Sequence, residues 1–174
     1  MHILVTGANG FVGRHLVRAL LDGRSIRFPG VVVRPPLRNG ALSAFNSDLI
    51  RETLAGRALI SPVSAEARIW VQSIETSVRN LMHAAALPAA DWGSHRAVTL
   101  PAVSVTIREI LDAVGHACEK NVWPLVTFAP DPTVEPMFGR WPRMQPAGRA
   151  DAMGFARDDS IGTIIGGYQR SQHQ

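Results

Sequence analysis

The sequence predicts an α/β fold with a reduced parallel sheet, and two observations near the start of the chain support this. Residues 2–6 are an apolar run of the length of one buried strand, and apolar residues recur at helical spacing through 11–21. A second strand is predicted at 31–33, where three valines precede Arg34 and Pro35. A helix between two strands this close together in sequence predicts a right-handed crossover between parallel strands.

Three glycines separate the first predicted strand from the first predicted helix. Gly7 lets the chain turn sharply, Gly10 lets a pyrophosphate approach the backbone, and Gly13 lets the helix pack close to the strand. The free N–H groups at the start of the helix, at Phe11 and Val12, would face the phosphates. These five residues are the predicted cofactor-binding set, and an ordinary glycine-rich turn is the alternative.

The composition describes a globular chain with dispersed positive charge. The 174 residues are enough for one domain, or one domain and a small lobe. Of them, 46% are apolar and 18% charged, which is typical of a globular chain. The net charge of +4 comes almost wholly from arginines, which are scattered without runs from Arg14 to Arg170. Because a nucleic-acid interface needs clustered basic residues, we expect no nucleic-acid partner.

The single cysteine, Cys118, excludes a disulfide within the chain and fits a reducing cytoplasm. No apolar run reaches membrane-spanning length, and the first residues read as a strand, not as a signal peptide. The sequence therefore predicts a cytoplasmic chain with no membrane contact.

Beyond residue 36 the patterns alternate between helix and strand. One pattern predicts a helix that opens over 104–109 and runs to about Cys118, because Thr106 and Glu109 form a capping box before an apolar stripe. The helix over 74–86 carries its own apolar stripe, which includes Ile74, Val78 and Met82. The remaining predictions are a helix near 48–55, strands at 58–63, 68–72, 96–100 and 122–128, a loop-rich stretch over 136–147, a last helix over 161–168 and a frayed tail over 169–174.

The glycine turn resembles the T-G-x-x-G-x-x-G fingerprint of the extended short-chain dehydrogenases/reductases, the NAD-dependent epimerase/dehydratase family. Residues 22–170 are similar to the C-terminal part of that family. Within it, the V-V-V-R-P run at 31–35, followed by Asn39, Ser43 and Phe45, resembles the D-erythronate dehydrogenase subgroup, as does the later Trp-Pro pair at 141–142. The resemblance implies NAD as cofactor, a sugar acid or nucleotide as small-molecule ligand, and substrate contacts at Asn39 and Ser43.

The resemblance refines the predicted architecture to a reduced Rossmann-like parallel sheet with an α+β C-terminal substrate lobe. Residues 1–35 would be the remnant of the NAD-binding domain. Residues 36–170 would be the C-terminal part of the extended fold, and residues 171–174 a tail.

A central block of the family pattern is missing after Leu21, which Asp22 and Gly23 follow directly. In the family this block carries the acidic residue that holds the adenine ribose and the catalytic Tyr-x-x-x-Lys. The only tyrosine, Tyr168, follows the only lysine, Lys120, so that motif cannot exist here. We assign no catalytic residue, expect only weak or residual NAD binding, and find no histidine spacing that predicts a metal site.

Two interpretations remain open from the residues. One is an NAD-dependent dehydrogenase or epimerase-like enzyme acting on a sugar acid, as the resemblance implies. The other is a non-catalytic, truncated relative that binds a nucleotide or a partner weakly. Unpaired strand edges left by the missing block would favour a homo-oligomer.

Overall fold

In a computed structural model of this chain, the described residues are 25–36, 44–94, 97–139 and 147–172. Their strands pair mainly in parallel, and helices connect them, so the predicted α/β class is confirmed. In chain order the elements are β1 (Ser25–Arg27), β2 (Gly30–Val32), α1 (Ala44–Leu54), β3 (Leu59–Ser61), β4 (Arg68–Ser73), α2 (Ile74–Ala86), α3 (Ala89–Trp92), β5 (Ala97–Thr99), β6 (Val103–Thr106), α4 (Ile107–Cys118), β7 (Val126–Phe128), α5 (Glu135–Gly139), α6 (Gly148–Ala152) and α7 (Ile161–Ser171).

The described residues group into two compact units. The first takes in residues up to 28 together with 75–101 and the segment ending at 156; the second takes in 29–74, 102–145 and 157–174. This grouping does not test the predicted boundary between residues 35 and 36, which stays a prediction. Within the described ranges, no helix combines the length and apolar character needed to cross a bilayer.

The first unit is built on a parallel pair of strands. β1 pairs with β5, with Ile26 opposite Val98. Trp92 is buried and packs edge-on against Phe155, with ring centroids 6.4 Å apart. These two rings belong to a small apolar core whose buried members are Ala84, Trp92, Val98, Leu100, Ala150 and Phe155.

The second unit contains a three-stranded sheet in the order β2-β4-β6. β2 runs parallel to β4, and β6 runs antiparallel to it. A further parallel pair joins β3 to β7. The predicted pairing of residues 2–6 with 30–34 involves a segment outside the described residues, so it stays a prediction.

Helix α4 begins at Ile107, because Val103–Thr106, part of which the sequence pattern assigned to the opening of the helix, forms strand β6. The Thr106 hydroxyl accepts a hydrogen bond from the Glu109 amide at 3.1 Å, and the Glu109 carboxylate accepts one from the Thr106 amide at 2.6 Å, so the predicted capping box is confirmed. Its apolar face is fully buried, and each such side chain stabilises the fold by about 1.5–3 kcal/mol. The buried residues of this face are Ile107, Ile110, Leu111 and Val114.

Several sequence predictions are wrong in part. The helix predicted near 48–55 begins earlier, at Ala44. The strand predicted over 122–128 begins only at Val126, because Pro124 lies in a 3-10 turn over Trp123–Leu125 and has no N–H for a strand ladder. The loop-rich stretch from 136 contains the end of α5, where Phe138 is buried. The tail predicted to fray from residue 169 continues α7 to Ser171, whose hydroxyl donates to the Tyr168 carbonyl.

Helix α2 has the predicted bounds but an unusual orientation. Its buried residues are mostly polar, and the apolar residues Ile74, Val78 and Met82 are exposed. A surface helix ordinarily turns its apolar stripe towards the core.

Candidate functional site

The predicted site residues all lie outside the described residues. This holds for the predicted cofactor-binding set, which is Gly7, Gly10, Phe11, Val12 and Gly13, and for the predicted substrate residues Asn39 and Ser43. The structure does describe the two elements that flank residues 37–43, which are the end of β2 and the start of α1. We refer to the end of β2 and the start of α1 together as the frame of residues 37–43.

The frame is fixed at Arg34, just after β2. The Arg34 amide donates to the Ser47 hydroxyl at 3.1 Å, and its carbonyl accepts a hydrogen bond from the Arg51 guanidinium at 2.8 Å. Ser47 and Arg51 are four residues apart on α1, so they lie on the same face of the helix. One helix face thus holds both backbone groups of Arg34.

Arg51 also organises the charges on α1. Its side chain is 12% exposed and pairs with Asp48 and Glu52. Arg57 hydrogen-bonds Glu52 at 2.5 Å, and this bond is the largest cause of the lowered pKa of Glu52; burial opposes the shift, and Arg51 adds to it. The Arg57 guanidinium therefore holds the pKa of Glu52 below its ordinary value, which favours the ionised carboxylate.

Polar groups cluster at the carboxyl edge of β2 and β4. The two strands are parallel, with Val32 opposite Ser73, so both end at one edge of the sheet. Asp158 is buried there and accepts hydrogen bonds from the Ser73 amide at 2.8 Å and the Ser73 hydroxyl at 2.7 Å. Ligands of open α/β sheets bind outside this edge. Ser73 therefore engages both carboxylate oxygens of Asp158 at this edge.

A buried acceptor lies in the first turn of α1. Asn46 is 5% exposed, and its Oδ1 accepts no hydrogen bond from any described residue. A Cβ added to Gly30 would lie 3.1 Å from Asn46 Nδ2 and 3.1 Å from the Trp70 carbonyl oxygen, so the absence of a side chain at Gly30 permits this close approach. A buried acceptor without a donor is costly, and it suits a ligand hydroxyl or amide.

His83, Tyr168 and Lys120 are described side chains that could move protons. His83 donates from Nε2 to the Met153 carbonyl at 2.7 Å and packs edge-on against Phe155, so it ties α2 to the end of α6. Tyr168 packs on the core of the second unit from α7, and Lys120 is exposed after α4. In the part of the chain that the structure describes, no group of three His, Cys, Asp or Glu side chains could hold a metal ion.

Sequence reasoning missed several polar residues of the frame. Ser47 and Arg51 carry a detectable signal, because polar residues four apart on a helix share a face. The pairing of Ser73 with Asp158 has no such signal, since the two residues are far apart in sequence and meet only through the fold.

Comparison with known proteins indicates the family to which this chain is related. The sequence model of the NAD dependent epimerase/dehydratase family matches residues 3–87. D-erythronate dehydrogenase from Cupriavidus necator is 36% identical over 151 residues, and D-erythronate dehydrogenase from Haemophilus influenzae is 31% identical over 148. These alignments cover 87% and 85% of this chain and 47% of each relative.

A solved structure shows the same fold. The nucleoside-diphosphate-sugar epimerase from Agrobacterium tumefaciens superposes with a TM-score of 0.74 at 30% identity, covering 87% of this chain and 44% of that one. The chain spans about half the length of the curated relatives it matches. The family-model match, the identity with both relatives and the shared fold agree with the glycine fingerprint, and this chain belongs to the NAD-dependent epimerase/dehydratase family.

Proposed function

We propose that this chain is a D-erythronate dehydrogenase-like protein that binds a sugar acid and, weakly, NAD, but lacks the dehydrogenase turnover of its family. One observation carries the proposal: the only tyrosine, Tyr168, follows the only lysine, Lys120. The family resemblance implies a tyrosine acid/base with a lysine four residues later that lowers its pKa. A tyrosine near its free pKa of about 10 is poorly matched to catalysis at pH 7.

The described positions of these two residues support the proposal. Tyr168 packs against the apolar core from α7, and Lys120 lies on the surface after α4. A positioned general base contributes about 10²–10⁴-fold to a rate. Without the family lysine, the nicotinamide ribose would also lose its anchor, so both proton transfer and cofactor orientation would suffer.

NAD binding would rest on the glycine turn alone. Gly7, Gly10 and Gly13, with the amides of Phe11 and Val12, would contact the pyrophosphate, while no carboxylate would hold the adenine ribose. The loss of one charge-assisted hydrogen bond costs about 1.5–3 kcal/mol, or about 10- to 100-fold in affinity. Calorimetric titration with NAD should therefore give weak binding that a Gly10→Val change abolishes; tight, NAD-selective binding would contradict this part of the proposal.

Sugar-acid binding would centre on Asn39 and Ser43. The anchoring of Arg34 by Ser47 and Arg51 supports this, because it fixes the start of the segment that carries them. The buried Asn46 Oδ1 offers an acceptor for a ligand hydroxyl. NMR titration with D-erythronate tests the assignment: Asn39→Ala and Ser43→Ala should each weaken binding, and the exposed control Gln172→Ala should not.

The second candidate is an active NAD-dependent dehydrogenase. Its support is the 36% identity to the enzyme from Cupriavidus necator, whose name states that activity. Formation of NADH with D-erythronate separates the two candidates, because only the second predicts turnover. In either case we propose a cytoplasmic chain, on the basis of the single cysteine Cys118.

A further inference from the structure

Helix α1 begins in a way that favours a negatively charged ligand. The helix is 11 residues long, and its first turn contains no acidic residue. The N–H groups of a first helical turn have no partner within the helix, and the helix dipole gives this end a partial positive charge. Asp48, which follows the first turn, is paired with Arg51, so its charge is offset. These properties are common to many helices, and they become specific only with Asn46.

The buried amide of Asn46 adds an acceptor to this helix start. Asn46 is 5% exposed, and its Oδ1 accepts no hydrogen bond from any described residue. A Cβ added to Gly30 would lie 3.1 Å from Asn46 Nδ2 and 3.1 Å from the Trp70 carbonyl oxygen. Since an amide nitrogen donates and a carbonyl accepts, Nδ2 belongs on this side and Oδ1 on the other. Helical side chains tilt towards the N-terminus, which directs Oδ1 towards the first-turn N–H groups.

We propose that the first turn of α1 and Asn46 together form a site for a 2-hydroxy carboxylic acid. The first-turn N–H groups receive the carboxylate, and Asn46 Oδ1 accepts a hydrogen bond from the 2-hydroxyl. This inference rests on the proposed function, which assigns a sugar-acid ligand to the chain and a ligand contact to Ser43, the residue before Ala44. The two groups lie on adjacent carbons of such an acid, so one end of the ligand supplies both the anion and the donor.

Neighbouring contacts hold the first turn of α1 in place. Phe45 packs edge-on against Phe138 of α5, with ring centroids 6.4 Å apart, and the Ser47 hydroxyl accepts from the Arg34 amide at 3.1 Å. Asn46 lies between these two anchored residues, so its acceptor is positioned before a ligand binds. A hydrogen bond at a buried acceptor also competes with little water. Asn46 is therefore the residue that selects acids with a 2-hydroxyl.

Titration of the full chain with three ligands, followed by NMR, tests the site. D-erythronate carries both groups and should bind most tightly. Its 2-deoxy analogue, 3,4-dihydroxybutanoate, should bind about 3- to 10-fold more weakly, which is the usual effect of one neutral hydrogen bond. Erythritol has the hydroxyls but no carboxylate, and it should bind at least about 10-fold more weakly than D-erythronate. The amide signals of residues 44–47 should shift with D-erythronate.

Variants of Asn46 assign the preference to this residue. Asn46→Leu keeps a similar volume without the acceptor, so D-erythronate and 3,4-dihydroxybutanoate should bind equally. Thr53→Val is the matched control, because it removes a buried hydroxyl about two turns later on the same helix and should keep the preference. Asn46→Asp is closest in shape, and at pH 7 its charge should weaken both acids at least about 10-fold and leave erythritol nearly unchanged.

The outcomes separate this site from the proposed function. Equal binding of the two acids by the unchanged chain, or a preference that persists in Asn46→Leu, would overturn the site and leave sugar-acid binding by Asn39 and Ser43 standing. Full acid binding in Asn46→Asp would also overturn it. Failure of every acid to bind the unchanged chain would overturn the proposed function and the site together.

Discussion

The anchoring of Arg34 by α1 supports the proposed sugar-acid binding by Asn39 and Ser43, and Arg51→Ala perturbs this anchoring directly. Arg51 donates to the Arg34 carbonyl at 2.8 Å and pairs with Asp48 and Glu52, and its side chain is 12% exposed. The change removes all three interactions at once and leaves the Ser47 contact to the Arg34 amide in place.

The expected loss of stability in Arg51→Ala depends on how far each partner of Arg51 is buried. The hydrogen bond from a largely buried guanidinium to a carbonyl contributes about 1.5–3 kcal/mol. Asp48 is 42% exposed in its side chain, and Glu52 keeps Arg57 as a second partner, so the two ion pairs together add little. We expect Arg51→Ala to lower the free energy of unfolding by about 2–4 kcal/mol.

Urea unfolding followed by tryptophan fluorescence measures this change, and Arg57→Ala is the matched control. Arg57 also pairs with Glu52, but its side chain is 59% exposed, so its removal should change the stability little. Arg51→Ala should in addition weaken sugar-acid binding more than Arg57→Ala does. Equal, small effects of the two variants would refute the reasoning that Arg51 anchors Arg34.

Three further predictions concern α4 and α1. Gly115→Ala should destabilise the chain by about 1–3 kcal/mol in thermal unfolding, because its Cβ would lie 2.9 Å from the Lys120 carbonyl oxygen, whereas Gly148→Ala, with nothing within 4 Å, should have little effect. Thr106→Ala should lower the free energy of unfolding by about 0.5–2 kcal/mol through loss of the cap, and Thr106→Ser should restore most of it. The pKa of Glu52 is lowered, chiefly by its bond to Arg57, so its stabilising effect is present above its unfolded pKa and is lost as the pH falls through its folded pKa. Glu52→Gln should therefore lower the free energy of unfolding by up to about 1 kcal/mol at pH 7, and leave it unchanged below the folded pKa of Glu52. A difference between the variant and the unchanged chain that stays constant over this pH range would contradict the assignment.

The sequence predicted those elements whose signals are local. The capping box of Thr106 and Glu109 set the start of α4, and the valines before Arg34 marked β2. Departures arose where long-range contacts decide the structure. Phe138 anchors a helical turn in a stretch that reads as loop. The late start of β7, by contrast, has a local cause in Pro124, which the sequence prediction overlooked.

The orientation of α2 could not be predicted from the sequence, because it too depends on long-range contacts. An apolar stripe predicts the buried face only when the core supplies the partner. Here Asn80 finds both partners for its amide in the backbone of Ala156, which no local pattern encodes. Likewise, the segment carrying Asn39 was recognisable by resemblance, whereas Ser47 and Arg51 acquire their roles only because α1 packs against the end of β2.

NADH formation tests the central claim most directly. The purified 174-residue chain is incubated with NAD and D-erythronate, and absorbance at 340 nm is followed over time. Because Tyr168 and Lys120 cannot form the family's acid/base pair, we predict turnover far below about 1 s⁻¹, the lower end of the ordinary range for enzymes. Turnover at or above that value, and its loss in Tyr168→Phe, would contradict the account and establish a dehydrogenase.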